Sequence, residues 1–259
     1  MNSQKKVAVI TGGAGGIGLA TAKILASDYN YRIALIDINP EAGEKARIAL
    51  SELTEATFFK CDLSKIDQVK ETIKNIAKNF GRIDTLLCAA GITKHLRVMD
   101  ITEEDWDHYM TLDLKSQFFV SQAVVPHMRD VGGGRIIHFS SILGSISDGK
   151  HILYGAAKTA LHSIVRELAV DLWRDNIQVN AIAPAYVITP LVARHLAEPG
   201  WEKKQLAQML LPRLIIGEDV AKALKFLVTC PTPAFNGQVL YVDGGYLNFR
   251  FKPEYLKNN

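Results

Sequence analysis

The sequence predicts a doubly wound α/β fold, in which a parallel sheet of about seven strands carries helices on both faces. Short runs of β-branched and apolar residues alternate with longer segments of helical period, and a glycine-rich loop separates the first strand from the first helix. Parallel strands need helical crossovers, and right-handed crossovers cover both faces of the sheet. With 259 residues, 48% of them hydrophobic, the chain is long enough for one large core. We therefore expect residues 1–259 to form a single domain.

Seven strands and six helices are predicted in order along the chain. The strands are predicted at Val7–Ile10, Arg32–Ile36, Thr57–Phe59, Ile83–Cys88, Arg135–Phe139, Gln178–Ile182 and Gln238–Val242. The helices are predicted at Gly16–Asp28, Pro40–Leu53, Lys65–Phe80, Glu103–Arg129, Tyr154–Trp173 and Glu218–Val228. The patterns Ser64-x-x-Asp67 and Thr102-x-x-Asp105 are typical of helix starts, where hydroxyl and carboxylate groups satisfy free backbone N–H groups.

The segment from about residue 184 to residue 217 has no regular period. It carries Pro190, Pro199, Gly200 and Pro212. A broken segment of this length in a compact domain is typical of a movable flap over a binding site.

Composition and charge exclude several classes of protein. The 30 Lys and Arg residues nearly balance 27 Asp and Glu, which argues against nucleic acid or an anionic membrane as a partner. No apolar run approaches the roughly 20 residues that a membrane span needs. The three cysteines are widely spaced and the seven histidines have no ligand spacing, so we expect a cytoplasmic protein without a metal centre.

The loop Thr11–Gly18 predicts a phosphate site, because a strand, a glycine loop and a helix N-terminus let backbone N–H groups approach a pyrophosphate. Its glycines fit two registers, Gly12-x-x-x-Gly16-x-Gly18 and Gly13-x-Gly15-x-x-Gly18. Asp37 follows Gly18 by 19 residues at the end of the second strand. An acidic residue there accepts hydrogen bonds from both ribose hydroxyls and repels a 2′-phosphate. We expect NAD(H) rather than NADP(H); the alternative is that Asp37 is only a turn residue.

Three side chains carry the predicted chemistry. Tyr154 and Lys158 are four residues apart, on one face of a helix, and Ser141 follows the fifth strand. A cation beside Tyr154 favours the phenolate, so we expect Lys158 to lower the pKa of Tyr154 until it serves as a general base. Ser141 then binds the oxygen that changes between alcohol and carbonyl. Taken alone, each pattern also has a non-catalytic explanation. The Tyr154–Lys158 spacing occurs by chance on many helices, and a serine after a strand usually binds nearby backbone.

Together these motifs resemble the short-chain dehydrogenase/reductase family, from Val7 to Gly245. The resemblance implies a Rossmann-type domain, an oligomer (tetramer or dimer), Tyr154 as general acid/base, Lys158 as its modulator and Ser141 as the carbonyl-orienting group. Ile177–Pro184 and Val242-Asp243-Gly244-Gly245 look like the family's last two strands. The cofactor contacts it implies are Gly12, Gly16, Ile17, Gly18, Asp37, Asp62, Leu63, Ala90, Gly91, Tyr154, Lys158, Pro184 and Thr189.

Three positions depart from the family pattern. Cys88-Ala89-Ala90-Gly91 lacks the amides of the usual Asn-Asn-Ala-Gly, and Pro184-Ala185 replaces Pro-Gly. Asp113 stands where the family has the Asn of its catalytic tetrad. We count Asp113 among the catalytic residues and expect its charge to alter the proton relay and the pH optimum.

Substrate contacts are expected beyond the carboxyl ends of the strands. Cationic and polar side chains there suggest an acidic or polyhydroxylated carbonyl substrate. The alternative is that they are solvated loop residues with no role in substrate binding. The candidates are Lys94, His95, Ser141, His151, Tyr154 and Tyr186, with Arg97 and Lys150 nearby and Arg194, His195 and Trp201 on the flap. The tail Asn248–Asn259 is expected to pack on a neighbouring subunit or to fray.

The sequence thus predicts a dinucleotide-binding and catalytic domain that oxidises a secondary alcohol or reduces a carbonyl with NAD(H). The substrate is expected to be a sugar, a polyol or an oxo acid. A 3-oxoacyl-thioester reductase, a weakly catalytic NAD-binding regulator and a redox-neutral epimerase remain alternatives.

Overall fold

The computed structural model describes residues 5–188 and 197–248. The strands in chain order are β1 Val7–Thr11, β2 Arg32–Asp37, β3 Ala56–Lys60, β4 Thr85–Cys88, β5 Gly134–Phe139, β6 Ile177–Pro184, β7 Val187–Ile188, β8 Ile215–Ile216 and β9 Val239–Val242. The α-helices are α1 Gly16–Tyr29, α2 Pro40–Ser51, α3 Ile66–Phe80, α4 Glu103–Met110, α5 Ser116–Arg129, α6 Ile152–Asp171, α7 Trp201–Leu206 and α8 Gly217–Thr229.

Seven of the strands form one parallel sheet in the order β3-β2-β1-β4-β5-β6-β9. Val9 of β1, for example, pairs with Ala34 of β2 on one side and with Leu86 of β4 on the other. The chain winds outwards in opposite directions from the β1–β4 pair. At this switch point the loops after the two strands diverge and leave a crevice at the carboxyl edge of the sheet. The predicted fold class is confirmed.

Two hydrophobic cores flank the sheet. Val7 and Val9 belong to the core under α3, α5 and α6, whereas Ala8 and Ile10 belong to the core under α1, α2 and α8. All five residues of β1 are buried. A strand that is covered on both faces needs a continuous apolar run rather than an alternating one, which is what the sequence of β1 provides.

The helix predicted over Glu103–Arg129 is interrupted. A wide π-helical turn at Thr111–Lys115 separates α4 from α5. Such turns insert an extra residue into the helix and are frequent at functional sites. Here the turn holds Asp113 in the interior, with none of its surface exposed to solvent. The sequence did not predict this break, because the apolar residues keep a helical period across it.

The two predicted capping patterns have different outcomes. Thr102 and Asp105 form a complete capping box at the start of α4. Ser64 does not cap α3, because that helix begins after Lys65, which makes no side-chain cap. Instead the Ser64 N–H donates to a carboxylate oxygen of Asp62 at 2.9 Å. Both helices therefore begin within one residue of the predicted start, but only Thr102 caps its helix.

The irregular segment contains structure that the sequence pattern missed. Val187–Ile188 pairs in parallel with Ile215–Ile216 to form a separate two-stranded sheet, and α7 lies between them in the chain. Elements this short have no measurable period. Thr189, Arg194, His195 and residues 249–259 of the tail lie outside the described residues. Within the described ranges, no helix is long and apolar enough to cross a membrane.

Candidate active site

The glycine loop lies at the carboxyl end of β1, where the backbone leaves no room for side chains. Gly12 has a left-handed φ of +62°, and a Cβ there would lie 2.8 Å from the Ala90 nitrogen. A Cβ on Gly18 would lie 2.5 Å from the Gly12 oxygen. A Cβ on Gly13 would lie 2.9 Å from the Ile10 oxygen, so each of the two predicted registers contains glycines that the close approach of the backbone requires.

The N-terminus of α1 opens from this loop. Its cap, Gly15, contributes no side-chain hydrogen bond, and helix geometry leaves the N–H groups of Gly16, Ile17 and Gly18 without intrahelical acceptors. Free N–H groups and the helix dipole together favour an anion. The loop therefore fits the pyrophosphate of a dinucleotide.

Asp37 ends β2 beside this loop and is half-buried. One carboxylate oxygen accepts a hydrogen bond from the Ala14 N–H at 3.2 Å and the other accepts from the Asn39 N–H at 3.1 Å. The turn role considered for Asp37 is therefore real. Each oxygen also keeps a second acceptor site, so the turn role leaves capacity for a ribose hydroxyl.

Asp62 and Leu63, the expected adenine contacts, follow β3. Hydrogen bonds from Ser64 hold the pKa of Asp62 below its usual range. Leu63 is buried in the core under α3. Their role towards a cofactor stays a prediction.

Ser141, Tyr154 and Lys158 converge at the carboxyl edge of the sheet. Ser141 follows β5, while Tyr154 and Lys158 lie one turn apart on α6. Ser141 is hydrogen-bonded to Tyr154, and its Oγ accepts the Leu143 N–H at 3.2 Å. The Lys158 ammonium lies 5.3 Å from the centre of the Tyr154 ring and donates to the Phe139 carbonyl at 3.0 Å. The predicted trio is assembled.

The net effect on Tyr154 is opposite to the expectation. Burial raises the pKa of Tyr154, and the charge of Asp113 adds to that rise. Lys158 and the Ser141 hydrogen bond act in the lowering direction, as predicted, but burial outweighs them. The protein alone therefore holds Tyr154 as a phenol.

Asp113 ties Lys158 to the loop after β4. Its Oδ1 lies 3.3 Å from the Lys158 ammonium, and both of its oxygens lie 3.3 Å from the Ile92 N–H that donates to them. A Cβ on Gly91 would lie 2.5 Å from that Oδ1, so only glycine leaves space for the carboxylate. Burial raises the pKa of Asp113 above its usual range, against the opposing effect of Lys158.

A buried polar chain that sequence reasoning missed supports the same loop. The Gln117 amide nitrogen donates to the Ala90 carbonyl at 3.5 Å, and its oxygen lies 3.1 Å from His138 Nδ1. The other ring nitrogen of His138 lies 3.3 Å from the Ser121 hydroxyl. Burial lowers the pKa of His138 to about 3, so the ring is neutral. These residues have no motif spacing, and only the packing of α5 on β5 brings them together.

Ser141 and Tyr154 face a cleft of about 710 Å³. Of the predicted substrate contacts, Ser141, Tyr154, His95, His151 and Tyr186 line it, together with Ile17, Lys150, Pro184 and Trp201. Lys94 is exposed and is not part of this lining. His151 Nδ1 lies 2.7 Å from an Asp148 oxygen. The lining also includes Gln205, Gln208 and Tyr246, for which the sequence carried no signal.

A family model described as enoyl-(acyl carrier protein) reductase matches residues 12–247. The chain belongs to the short-chain dehydrogenase/reductase family. It is accordingly an oxidoreductase of CH–OH groups that interconverts alcohol and carbonyl with a nicotinamide cofactor and acts on a small molecule.

Known members of this family differ in their substrates. A 3-oxoacyl-[acyl-carrier-protein] reductase from Chlamydia trachomatis is 34% identical, over 93% of this chain and 96% of its own length. An NAD-dependent glycerol dehydrogenase from Listeria innocua is 33% identical, over 95% of each chain. The solved structure of a protein assigned as an NAD(P)-dependent gluconate 5-dehydrogenase from Beutenbergia cavernae, with NADP at low occupancy, superimposes with a TM-score of 0.88 at 26% identity. That superposition covers 94% of this chain and 97% of the other.

Proposed function

We propose that the chain is an NAD(H)-dependent dehydrogenase in which Tyr154 transfers the proton between a secondary alcohol and solvent. The observation that carries the proposal is that Ser141 and Tyr154 line one cleft beside the glycine loop, with the buried Lys158 ammonium 5.3 Å from the centre of the Tyr154 ring. A bound nicotinamide supplies the two-electron acceptor for the alcohol or the donor for the carbonyl.

Each residue has a separate task. In oxidation the Tyr154 oxygen takes the proton of the alcohol, and in reduction it returns a proton to the carbonyl oxygen. The Ser141 oxygen accepts the Leu143 N–H, and its hydroxyl proton, which is donated to Tyr154 when no substrate is present, is then donated to the substrate oxygen. Lys158 stabilises the phenolate by its charge. Asp113 and the Phe139 carbonyl fix the position of the Lys158 ammonium.

We assign the cofactor to NAD(H) because Asp37 places a carboxylate beside the loop where a 2′-phosphate would need a cation. By resemblance, further contacts come from Asp62, Leu63, Ala90, Gly91, Pro184 and Thr189. The Listeria relative is NAD-dependent, whereas the Beutenbergia protein holds NADP, so relatives support both choices.

A spectrophotometric assay tests the function and the cofactor together. Absorbance at 340 nm is followed with NAD+ or NADP+ over secondary alcohols, polyols, sugar acids and 3-hydroxyacyl thioesters. We expect turnover with NAD+ and little with NADP+. Asp37→Asn should lower the ratio of activity with NAD+ to activity with NADP+ by about tenfold, because it removes the charge that repels a 2′-phosphate and keeps an acceptor for the ribose hydroxyls. Equal use of the two cofactors by the parent protein would exclude the assignment.

For the substrate we propose a sugar, a polyol or an oxo acid, with His95 and His151 at the cleft wall as contacts. The second candidate is a 3-oxoacyl-thioester reductase, which the Chlamydia relative favours. Turnover of the 3-hydroxyacyl thioesters, and of no other compound in the assay, would establish the reductase. No turnover of any compound, with NADH binding intact, would favour a regulatory NAD-binding protein.

We further propose that residues 1–259 form one domain with a substrate flap at about 184–217, and that the protein works as a homo-oligomer in the cytoplasm. Exposed apolar side chains at the carboxyl end of α6 and in the following turn support the oligomer: Val170 and Trp173 are 71% and 62% exposed. Large apolar side chains that lie together on a surface are typical of protein contacts. Sizing by light scattering, with Trp173→Glu as the disrupting variant, tests the assembly.

A further inference from the structure

Gln205 on α7 is a buried side chain with an unmet hydrogen bond. It is only 5% exposed and lines the cleft that holds Ser141 and Tyr154. Its amide oxygen has no hydrogen-bond partner within the part of the chain that the structure describes. Leaving a buried acceptor unpaired costs free energy, and nearly all buried polar groups in proteins find a partner. A group left unpaired in a binding cleft is therefore available to a ligand.

We propose that Gln205 is a specificity-determining residue whose amide accepts a hydrogen bond from a hydroxyl at the end of the substrate's carbon chain rather than from a secondary hydroxyl. The substrate is then a polyhydroxylated alcohol or its carbonyl product. This inference rests on the proposed function and names the substrate class within it.

Neighbouring groups distinguish Gln205 from the rest of the cleft wall. Gln208, one turn later, already uses its amide oxygen to accept the Tyr246 hydroxyl at 2.9 Å. Tyr186 lies edge-to-face against Trp201, with ring centres 5.7 Å apart, and 6.1 Å from the Tyr246 ring. These rings give the carbon skeleton of a polyol an apolar surface, while the Gln205 amide meets a hydroxyl.

The same geometry disfavours the other substrate classes. The alkyl chain of an acyl thioester would bury the Gln205 oxygen without giving it a donor, and the full cost of the unpaired group would remain. A carboxylate facing the amide oxygen would be repelled. A hydroxyl both donates and accepts, so it satisfies the amide group in either of its two orientations.

The test compares two alcohols that differ only in the hydroxyls at the ends of the carbon chain. Butane-1,2,3,4-tetrol and butane-2,3-diol both carry secondary hydroxyls, but only the tetrol has hydroxyls at its ends. We expect Gln205→Leu to lower kcat/KM for the tetrol with NAD+ by about 10- to 100-fold, and to change kcat/KM for the diol less than about threefold. Gln205→Glu, which keeps an acceptor, should retain the preference for the tetrol.

Gln238→Leu is the matched control. It makes the same substitution outside the cleft, on an amide that already donates to the Asn236 carbonyl at 3.0 Å, so it should leave the ratio of the two kcat/KM values unchanged. A Gln205→Leu variant that lowers both values equally, or that keeps the preference for the tetrol, would overturn the proposal. A parent protein that oxidises no alcohol at all would contradict the proposed function instead.

Thermal unfolding without substrate gives an independent readout. Because leucine leaves no unpaired group, Gln205→Leu should unfold at the same temperature as the parent or higher. If its unfolding temperature falls by several degrees while Gln205→Glu keeps the parent value, the amide has a partner inside the protein and the proposal is wrong.

Discussion

The two ends of the candidate cofactor site are built in different ways. The phosphate end is a run of consecutive residues, and its shape depends on backbone and on missing side chains, as at Gly12 and Gly18. The chemical end joins Asp113, Ser141 and the Tyr154–Lys158 pair from three separate stretches of chain. Steric space determines the structure of the phosphate end, whereas the pKa values of the chemical end depend on the opposing effects of burial and charge.

This difference determines how each end responds to substitution. At the phosphate end a single added methyl group meets backbone that cannot move aside. At the chemical end burial raises the pKa of both Tyr154 and Asp113, and Lys158 opposes both shifts. Changes at the first end should therefore alter cofactor binding, and changes at the second should alter rate and pH dependence.

The largest effect is expected from Tyr154→Phe. This substitution removes the proton-transferring oxygen but leaves the glycine loop untouched, so kcat should fall by about 10²- to 10⁴-fold. The NADH affinity, measured by fluorescence titration, should change less than about threefold.

Tyr31→Phe is the matched control, because Tyr31 is buried at the amino edge of the sheet, where its hydroxyl contacts Thr85. Its kcat should stay within about twofold of the parent. Retained activity in Tyr154→Phe would show that Tyr154 is not the acid/base.

Gly12→Ala should act on binding. The left-handed φ of Gly12 and the 2.8 Å approach to the Ala90 nitrogen predict about 1–3 kcal/mol of destabilisation and at least about tenfold weaker NADH binding. Gly132→Ala separates the effect of the positive φ from that of the steric contact, since Gly132 has a φ of +83° with open space around it. It should cost about 1 kcal/mol and leave NADH affinity unchanged. Equal losses of affinity in the two variants would mean that backbone strain alone explains the effect.

The features that could be predicted from the sequence are those that local sequence patterns encode. The loop Thr11–Gly18 and the seven strands of the parallel sheet could be predicted, because local glycine spacing and buried β-branched runs encode them directly. The trio of Ser141, Tyr154 and Lys158 could be predicted from helical spacing and order along the chain. Their contacts depend on the fold, and the structure places them together.

The rest depends on packing that no local pattern reports. The wide turn at Thr111–Lys115 lies inside a continuous helical period, and Ser64 has the same pattern as the true cap Thr102. Burial, which decides the sign of the Tyr154 pKa shift, is a property of the whole fold. Gln205 is an ordinary helix residue in the sequence, and only the cleft shows that its oxygen is unpaired.

The smallest effect, and the most specific for the chemical end, is expected from Asp113→Asn. The negative charge of Asp113 raises the pKa of Tyr154, so its removal should lower that pKa. The phenolate, which acts as the base in alcohol oxidation, would then be present at lower pH. The acidic limb of the kcat/KM profile should move to lower pH, with a rate gain of about tenfold or less below the parent midpoint. In carbonyl reduction the alkaline limb should move the same way, because the same proton is lost earlier.

Asp84→Asn tests whether any buried carboxylate would have this effect. Asp84 pairs with Arg82 at 2.5 Å and accepts the Val7 N–H, at the amino edge of the sheet away from the cleft. That variant should lose stability without moving either limb. A profile that stays fixed in Asp113→Asn, or one that moves to higher pH, would show that the Asp113 charge does not reach Tyr154. In that case the family's Asn and this chain's Asp would be equivalent at the chemical end, and the role of Asp113 would be to accept the Ile92 N–H and to position Lys158.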